Sequence, residues 1–202
     1  HTSIGLSIAE ILIHLKSELN GRVKLIFQPG EEGMRGAYPM VEAGMLDDVD
    51  YLLGLHIGLK ANQTGTLISG SYGFLATSKL DAVFKGVSSH AGLAPEEGKN
   101  ALLAAANAVI NLHSIPRHSE GASRVNVGMI QGGSGRNIVP DYAKIKLETR
   151  GINTKINQYM EHKARTILQS CDDMFEVELE IHPMGKAPSG TSDQELVSMI
   201  KS

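Results

Sequence analysis

Apolar residues recur at helical spacing from the start of the chain. Ile4, Ile8, Ile11, Leu12, Leu15 and Leu19 fall on one stripe of a 3.6-residue repeat. Asn20-Gly21 offers the stop, because glycine accepts the left-handed backbone that closes helices. The period then changes. Residues 23–27, 51–57 and 66–68 are short apolar runs, as expected of strands buried in a sheet. Between the first two lies a Gly-rich stretch with a short helix expected around residues 39–43. Helix followed by buried strands predicts an α/β layer.

From residue 79 the patterning differs. Residues 80–86 read as a strand and residues 100–112 as an Ala-rich amphipathic helix. In residues 124–130, Val125, Val127 and Met129 share one face. In residues 143–149, Ile145 and Leu147 alternate with Lys144, Lys146 and Glu148. Asn153 is a good cap for a helix reaching about Cys171, with Ile156, Met160, Ala164 and Ile167 inward. Phe175, Val177, Leu179 and Ile181 alternate with three glutamates, a half-exposed strand. The order β-α-β-β-α-β over residues 79–183 predicts a split βαβ, or ferredoxin-like, unit with helices on one face. A helix start is expected at Thr191 or Ser192.

Composition narrows the functional classes. The chain has 202 residues, 42% of them apolar, which suits a globular protein of one large or two modest domains. A net charge of -3 gives no basic stripe, so nucleic acid is an unfavoured partner. No apolar run approaches the roughly 20 residues needed to cross a bilayer. The single cysteine, Cys171, excludes an internal disulfide and fits a reducing cytoplasm. The chain opens on His1 directly into a helical pattern, so the numbering is expected to start inside a longer protein.

Gln28-Pro29-Gly30-Glu31-Glu32-Gly33 follows the first apolar run, where α/β sheets place ligands. Adjacent carboxylates on a Gly-flanked loop point in different directions, so one can ligate a metal while the other moves a proton. A bare Glu-Glu pair is also what a solvated acidic turn looks like. His56 sits in the second apolar run; a lone histidine there is more often a hydrogen-bonded core residue than a ligand. If the two runs are neighbouring parallel strands, Glu32 and His56 reach one rim, and a carboxylate with an imidazole suits Zn or Mn. His90 lies in a polar loop. Gly132-Gly133-Ser134-Gly135-Arg136-Asn137 is richer in glycine than a tight hairpin requires. That loop is either plainly flexible or shaped so that Arg136, Asn137 and backbone amides approach a carboxylate.

Taken in order, His1-Thr2, Phe27-Gln28-Pro29-Gly30-Glu31-Glu32-Gly33, Gly54-Leu55-His56, Ser89-His90-Ala91 and the glycine-rich loop ending at Pro140 resemble a known family. It is that of the dinuclear metallopeptidases that include aminoacylase and carboxypeptidase G. Within it the chain is similar to the amidohydrolases of hippurate and of auxin conjugates. Gly86-Val87-Ser88-Ser89-His90-Ala91-Gly92 and Pro116-Arg117-His118-Ser119 look most like the aminobenzoyl-glutamate hydrolase group.

The resemblance implies roles. Glu31 matches the general base that activates water, and Glu32 and His56 match metal ligands. His90 matches the second-domain histidine that polarises the scissile carbonyl, reaching into the active site of a partner protomer. Asn137, with Arg136, matches the substrate-carboxylate loop. It also implies two divalent ions, Zn or Mn, a small N-acyl amino acid or dipeptide substrate, and a homodimer. In the implied architecture an incomplete zinc-peptidase-like α/β catalytic domain (residues 1–78 and 184–202) is interrupted by a lid at residues 79–183. A Cys-Gly-His-Asp segment expected before His1 and a last histidine ligand expected after Ser202 are not in this sequence. The competing expectation is therefore a non-catalytic carboxylate-binding or dimerisation fragment.

Overall fold

The structure is a computed structural model that describes residues 1–31, 36–58, 61–70 and 73–201. Two compact units divide the chain, residues 1–68 and residues 69–202. No helix among the described residues is long and apolar enough to cross a membrane.

In the first unit, helix α1 spans Thr2–His14 and a 3-10 turn follows at Lys16–Glu18. The regular helix thus ends five residues before Leu19, with the Leu15 amide closing it on the Ile11 carbonyl. Helix α2 spans Ala37–Glu42, close to the expected short helix. Its end is bonded tightly, Ala43 N–H donating to the Pro39 carbonyl at 3.0 Å. The three expected strands at residues 23–27, 51–57 and 66–68 do not form; the described residues of this unit contain no ladder. An apolar run becomes a strand only where a neighbour satisfies its amides and carbonyls. Here no such neighbour is supplied, and Leu53, Leu55 and Ile57 stay 67%, 50% and 59% exposed. The placement of His56 within a strand is corrected accordingly.

The second unit is built on an antiparallel sheet. Strands β1 (Ala76–Lys85), β3 (Ser123–Gly132), β5 (Tyr142–Gly151) and β6 (Glu178–Ala187) are ordered β3-β5-β1-β6. Every neighbouring pair is antiparallel. Two-residue strands β2 (Ser89–His90) and β4 (Ile138–Val139) pair separately. Helix α3 (Ala101–His113) and helix α4 (Thr154–Phe175) connect the long strands, and α5 (Gln194–Lys201) closes the described chain. Leaving aside the short pair, the order from β1 to β6 is β-α-β-β-α-β.

Local chemistry accounts for the boundaries. Asn100 and Asn153 are extended residues whose side chains accept the Leu103 and Ile156 amides, satisfying N–H groups that a helix start leaves bare. Helix α4 runs on through Phe175 and is closed by Glu176 in the left-handed conformation, so Phe175 is helical, Val177 lies in the connection and β6 starts at Glu178. Asp193 caps α5 by accepting from Glu195 and Leu196, two positions after the expected Thr191 start.

In α3 the buried face is Ala101, Ala104, Ala105, Ala108 and Leu112. Small side chains let the helix lie close to the sheet. Met160, Ala164, Leu168 and Cys171 of α4 pack beside them over Leu80, Ala82, Phe84, Ala143, Ile145 and Leu147. Burying each of the larger side chains contributes about 1.5–3 kcal/mol. The sheet's other face is open and polar. Along β5 Ala143, Ile145, Leu147 and Thr149 are buried, while Tyr142, Lys144, Lys146, Glu148 and Arg150 point away.

Candidate active site

In the second unit two sequence-predicted residues are brought together. The β2–β4 ladder sets His90 opposite Ile138 and Ser89 opposite Val139. The Ala91 amide donates to the Asn137 carbonyl at 3.0 Å, so the His90 loop and the glycine-rich loop share an edge. The His90 loop is also fixed at its base. Val87 and Lys99 exchange backbone hydrogen bonds of 3.0 and 2.9 Å, Gly86 N–H donates to Asp141, and Ala101 N–H donates to Pro140. A Cβ at Gly86 would stand 1.9 Å from the Lys99 carbonyl oxygen, so this base accepts only glycine. Gly98 is similarly crowded: a Cβ there would meet Ser89 Oγ at 2.5 Å and Val139 Cγ1 at 2.7 Å.

The His90 ring has a defined hydrogen-bonding state. Gly92 N–H donates to Nδ1 at 3.1 Å. An Nδ1 that accepts is unprotonated, so the neutral ring carries its proton on Nε2 and presents a donor outward. The ring is exposed, as are Arg136 and Asn137. Neither the Gly92 amide nor Gly98 was singled out in the sequence. The available signal was the pair of glycines placed two and eight residues after His90.

In the first unit Glu31 is exposed and follows Gly30, whose φ of 63° is left-handed. Pro29 and Gly36 approach so closely that a Cβ on Gly36 would lie 1.7 Å from the Pro29 carbonyl oxygen. Glu32, the expected metal ligand, lies outside the described residues. His56 Nδ1 is 2.6 Å from the Ile57 carbonyl oxygen and must be its protonated nitrogen there. In the neutral ring that leaves Nε2 unprotonated, the state a metal-ligating imidazole needs, with the other nitrogen held by a backbone carbonyl. His1 packs edge-on against His56, ring centroids 4.4 Å apart, and its Nε2 accepts the Ile57 amide at 2.9 Å. Among the described residues no three His, Cys, Asp or Glu side chains converge as a metal cage. The chemistry of His56 thus fits a metal, while the full donor set is not assembled by the described residues alone.

Comparison with known proteins bears on both halves of this picture. A family model described as peptidase family M20/M25/M40 matches residues 1–202. The chain belongs to that family. Members of M20 are metal-dependent, and relatives of this chain are named hydrolases. One of the subunits of the p-aminobenzoyl-glutamate hydrolase of Escherichia coli K12 is 50% identical over 202 residues, covering 100% of this chain and 46% of that protein. The indole-3-acetyl-aspartic acid hydrolase of Enterobacter agglomerans is 52% identical over 201 residues, again 46% of its length. Among solved structures, the aminobenzoyl-glutamate utilization protein of Klebsiella pneumoniae superposes with a TM-score of 0.88 at 48% identity, over 100% of this chain and 51% of that one. The chain therefore spans about half the length of the curated M20 relatives it matches. The mixed α/β composition of the structure agrees with an M20 peptidase.

Proposed function

We propose that the chain is the part of an M20 amidohydrolase that supplies the proton-transfer carboxylate, the carbonyl-polarising histidine and the carboxylate-holding loop. The whole protein hydrolyses the amide bond of N-acyl or N-aroyl amino acids of the aminobenzoyl-glutamate kind, or of dipeptides. The observation that supports this most directly is the coupling of His90 to the Asn137 loop through β2–β4, with Nδ1 occupied by Gly92 and Nε2–H left to donate. Its relatives' named substrates join an acyl group to an amino acid that keeps a free carboxylate. Such a substrate needs one donor at its scissile carbonyl and another set at its carboxylate.

Each residue then has a task. Glu31 accepts a proton from the attacking water and returns one to the leaving amine. His90 Nε2–H donates to the carbonyl oxygen as negative charge develops there. The Asn137 side-chain amide and the Arg136 guanidinium bind the substrate carboxylate, the guanidinium as a two-toothed donor. Glu32 and His56 are two of the ligands for a pair of divalent ions, Zn or Mn. When bound, those ions make water more acidic and polarise the amide carbonyl.

Residues 79–183 form the ferredoxin-like lid, and residues 1–78 with 184–202 belong to the catalytic domain. The lid makes a homodimer, and His90 serves the partner's site; β3 is an edge strand and so has one side open to pairing. The protein is cytoplasmic, in keeping with a lone buried cysteine. The test is Glu31→Gln in the intact protein. Turnover of p-aminobenzoyl-glutamate is expected to fall at least a thousandfold while metal content, measured by elemental analysis, stays unchanged. Near-normal turnover in that variant would refute the role of Glu31.

A further inference from the structure

Helix α4 is closed by a residue whose backbone does not suit its type. Glu176 has φ 51° and ψ 39°, and among the described residues it is the one residue other than glycine with a positive φ. The turn itself is needed. Phe175 before it packs against the core and Val177 after it is buried, so the chain must reverse within a single residue. Glycine makes that reversal without strain and is the usual choice at a helix C-terminus, whereas a residue with a Cβ is penalised there. The negative end of the helix dipole disfavours a carboxylate as well. Glu176 does make one ion pair, its Oε2 standing 3.3 Å from Lys99 Nζ. The two side chains are 75% and 44% exposed, and exposed ion pairs add little to stability. Stability alone would therefore place glycine at this position.

Lys99 belongs to the neck of the His90 loop. Its N–H donates to the Val87 carbonyl at 2.9 Å and its carbonyl accepts the Val87 amide at 3.0 Å. At the other end of the ion pair, α4 is anchored by Met160, Ala164, Leu168 and Cys171 in the core. We propose that Glu176 and Lys99 are positioning residues, a tether from the end of α4 to the neck of the loop that keeps His90 aimed at the scissile carbonyl. The proposal rests on the reading of His90 as the carbonyl-polarising donor, and neither tether residue touches substrate. A weak pair can matter to rate where it does not matter to stability, because a small displacement of a reacting group lowers turnover steeply. The interaction that His90 makes strengthens as charge develops on the carbonyl oxygen, so losing its aim lowers kcat and leaves KM nearly unchanged.

The test uses the metal-loaded full-length protein with Glu176→Gly, Lys99→Met and Lys99→Arg. With p-aminobenzoyl-glutamate as substrate, kcat is expected to fall about threefold or more in Glu176→Gly and in Lys99→Met, with KM within twofold of wild type. The double variant is expected to lose no more than either single one, because both break the same contact. Lys99→Arg keeps the charge and is expected to stay within twofold of wild type. The thermal midpoint of Glu176→Gly is expected to equal or exceed that of wild type, since the left-handed strain is gone. Hydrogen exchange at the Val87 and Lys99 amides is expected to quicken about threefold or more in both tether variants, with Ala82 in the middle of β1 unchanged. Three results overturn the proposal: losses that add in the double variant, a rise in KM in place of a fall in kcat, or a Lys99→Arg enzyme as slow as Lys99→Met. His90→Ala separates the two claims. A fully active His90→Ala enzyme overturns the reading of His90 together with this proposal, whereas an inactive one beside wild-type kcat in both tether variants overturns the proposal alone.

Discussion

Replacing Asn157 by alanine removes the centre of a buried polar chain that joins three elements. Asn157 is 1% exposed; its Oδ1 accepts from Thr149 Oγ1 at 2.9 Å and its Nδ2 donates to Ser78 Oγ at 2.9 Å. Ser78 Oγ in turn donates to Glu161 at 2.8 Å. Two lost hydrogen bonds cost about 1 kcal/mol each. Ser78 keeps a partner in Glu161, but Thr149, fully buried, keeps none for its hydroxyl proton. Leaving that donor bare adds about 1–3 kcal/mol. The total is about 3–5 kcal/mol, a large share of the stability of an ordinary domain. Urea unfolding of the variant measures it. A second substitution sharpens the reasoning: in Asn157→Ala, Thr149→Val removes the stranded hydroxyl, so the double variant is expected to be less destabilised than the sum of the two by about 1 kcal/mol or more. Strict additivity, or a loss below about 1 kcal/mol for Asn157→Ala, refutes the account.

Two further outcomes follow from the same geometry. Burial pushes the Glu161 carboxyl up, but hydrogen bonds from Ser78 and Arg165 and the charges of Lys186 and Arg165 outweigh it and hold the group below its ordinary value of 4.5. A depressed carboxylate stabilises the fold above its unfolded value and loses that contribution as pH falls through the folded one. Thermal midpoints are therefore expected to drop below about pH 4.5, and the slope there is expected to flatten in Glu161→Gln. Gly86→Ala places a Cβ against the Lys99 carbonyl, so it is expected to shift the His90 loop and lower turnover at least tenfold. Far-UV circular dichroism should stay unchanged, and a fully active Gly86→Ala enzyme contradicts the fixed base.

The second unit was legible because its signals are local. Alternation in residues 143–149 gave the two faces of β5, and Asn100 and Asn153 marked helix starts that their side chains do cap. The first unit was misread for a complementary reason. Runs such as Leu53, Leu55 and Ile57 record only that a segment is apolar and extended; they carry no information on which strand lies alongside. Their pairing depends on partners distant in sequence, and the described residues offer none. The candidate site divides the same way. His90 and Asn137 could be named from motifs, but the Gly92 amide that sets the ring's proton depends on loop conformation.

The loop that holds His90 is tied at its neck by bonds from Gly86, Val87, Lys99 and Ala101, while Leu93 at its crown is 81% exposed. Its base and its crown therefore answer to different selective pressures. The neck amides are expected to exchange slowly with the sheet, whereas the exposed Leu93 side chain contributes little to folding. Substitutions at Leu93 are therefore expected to leave the scaffold intact.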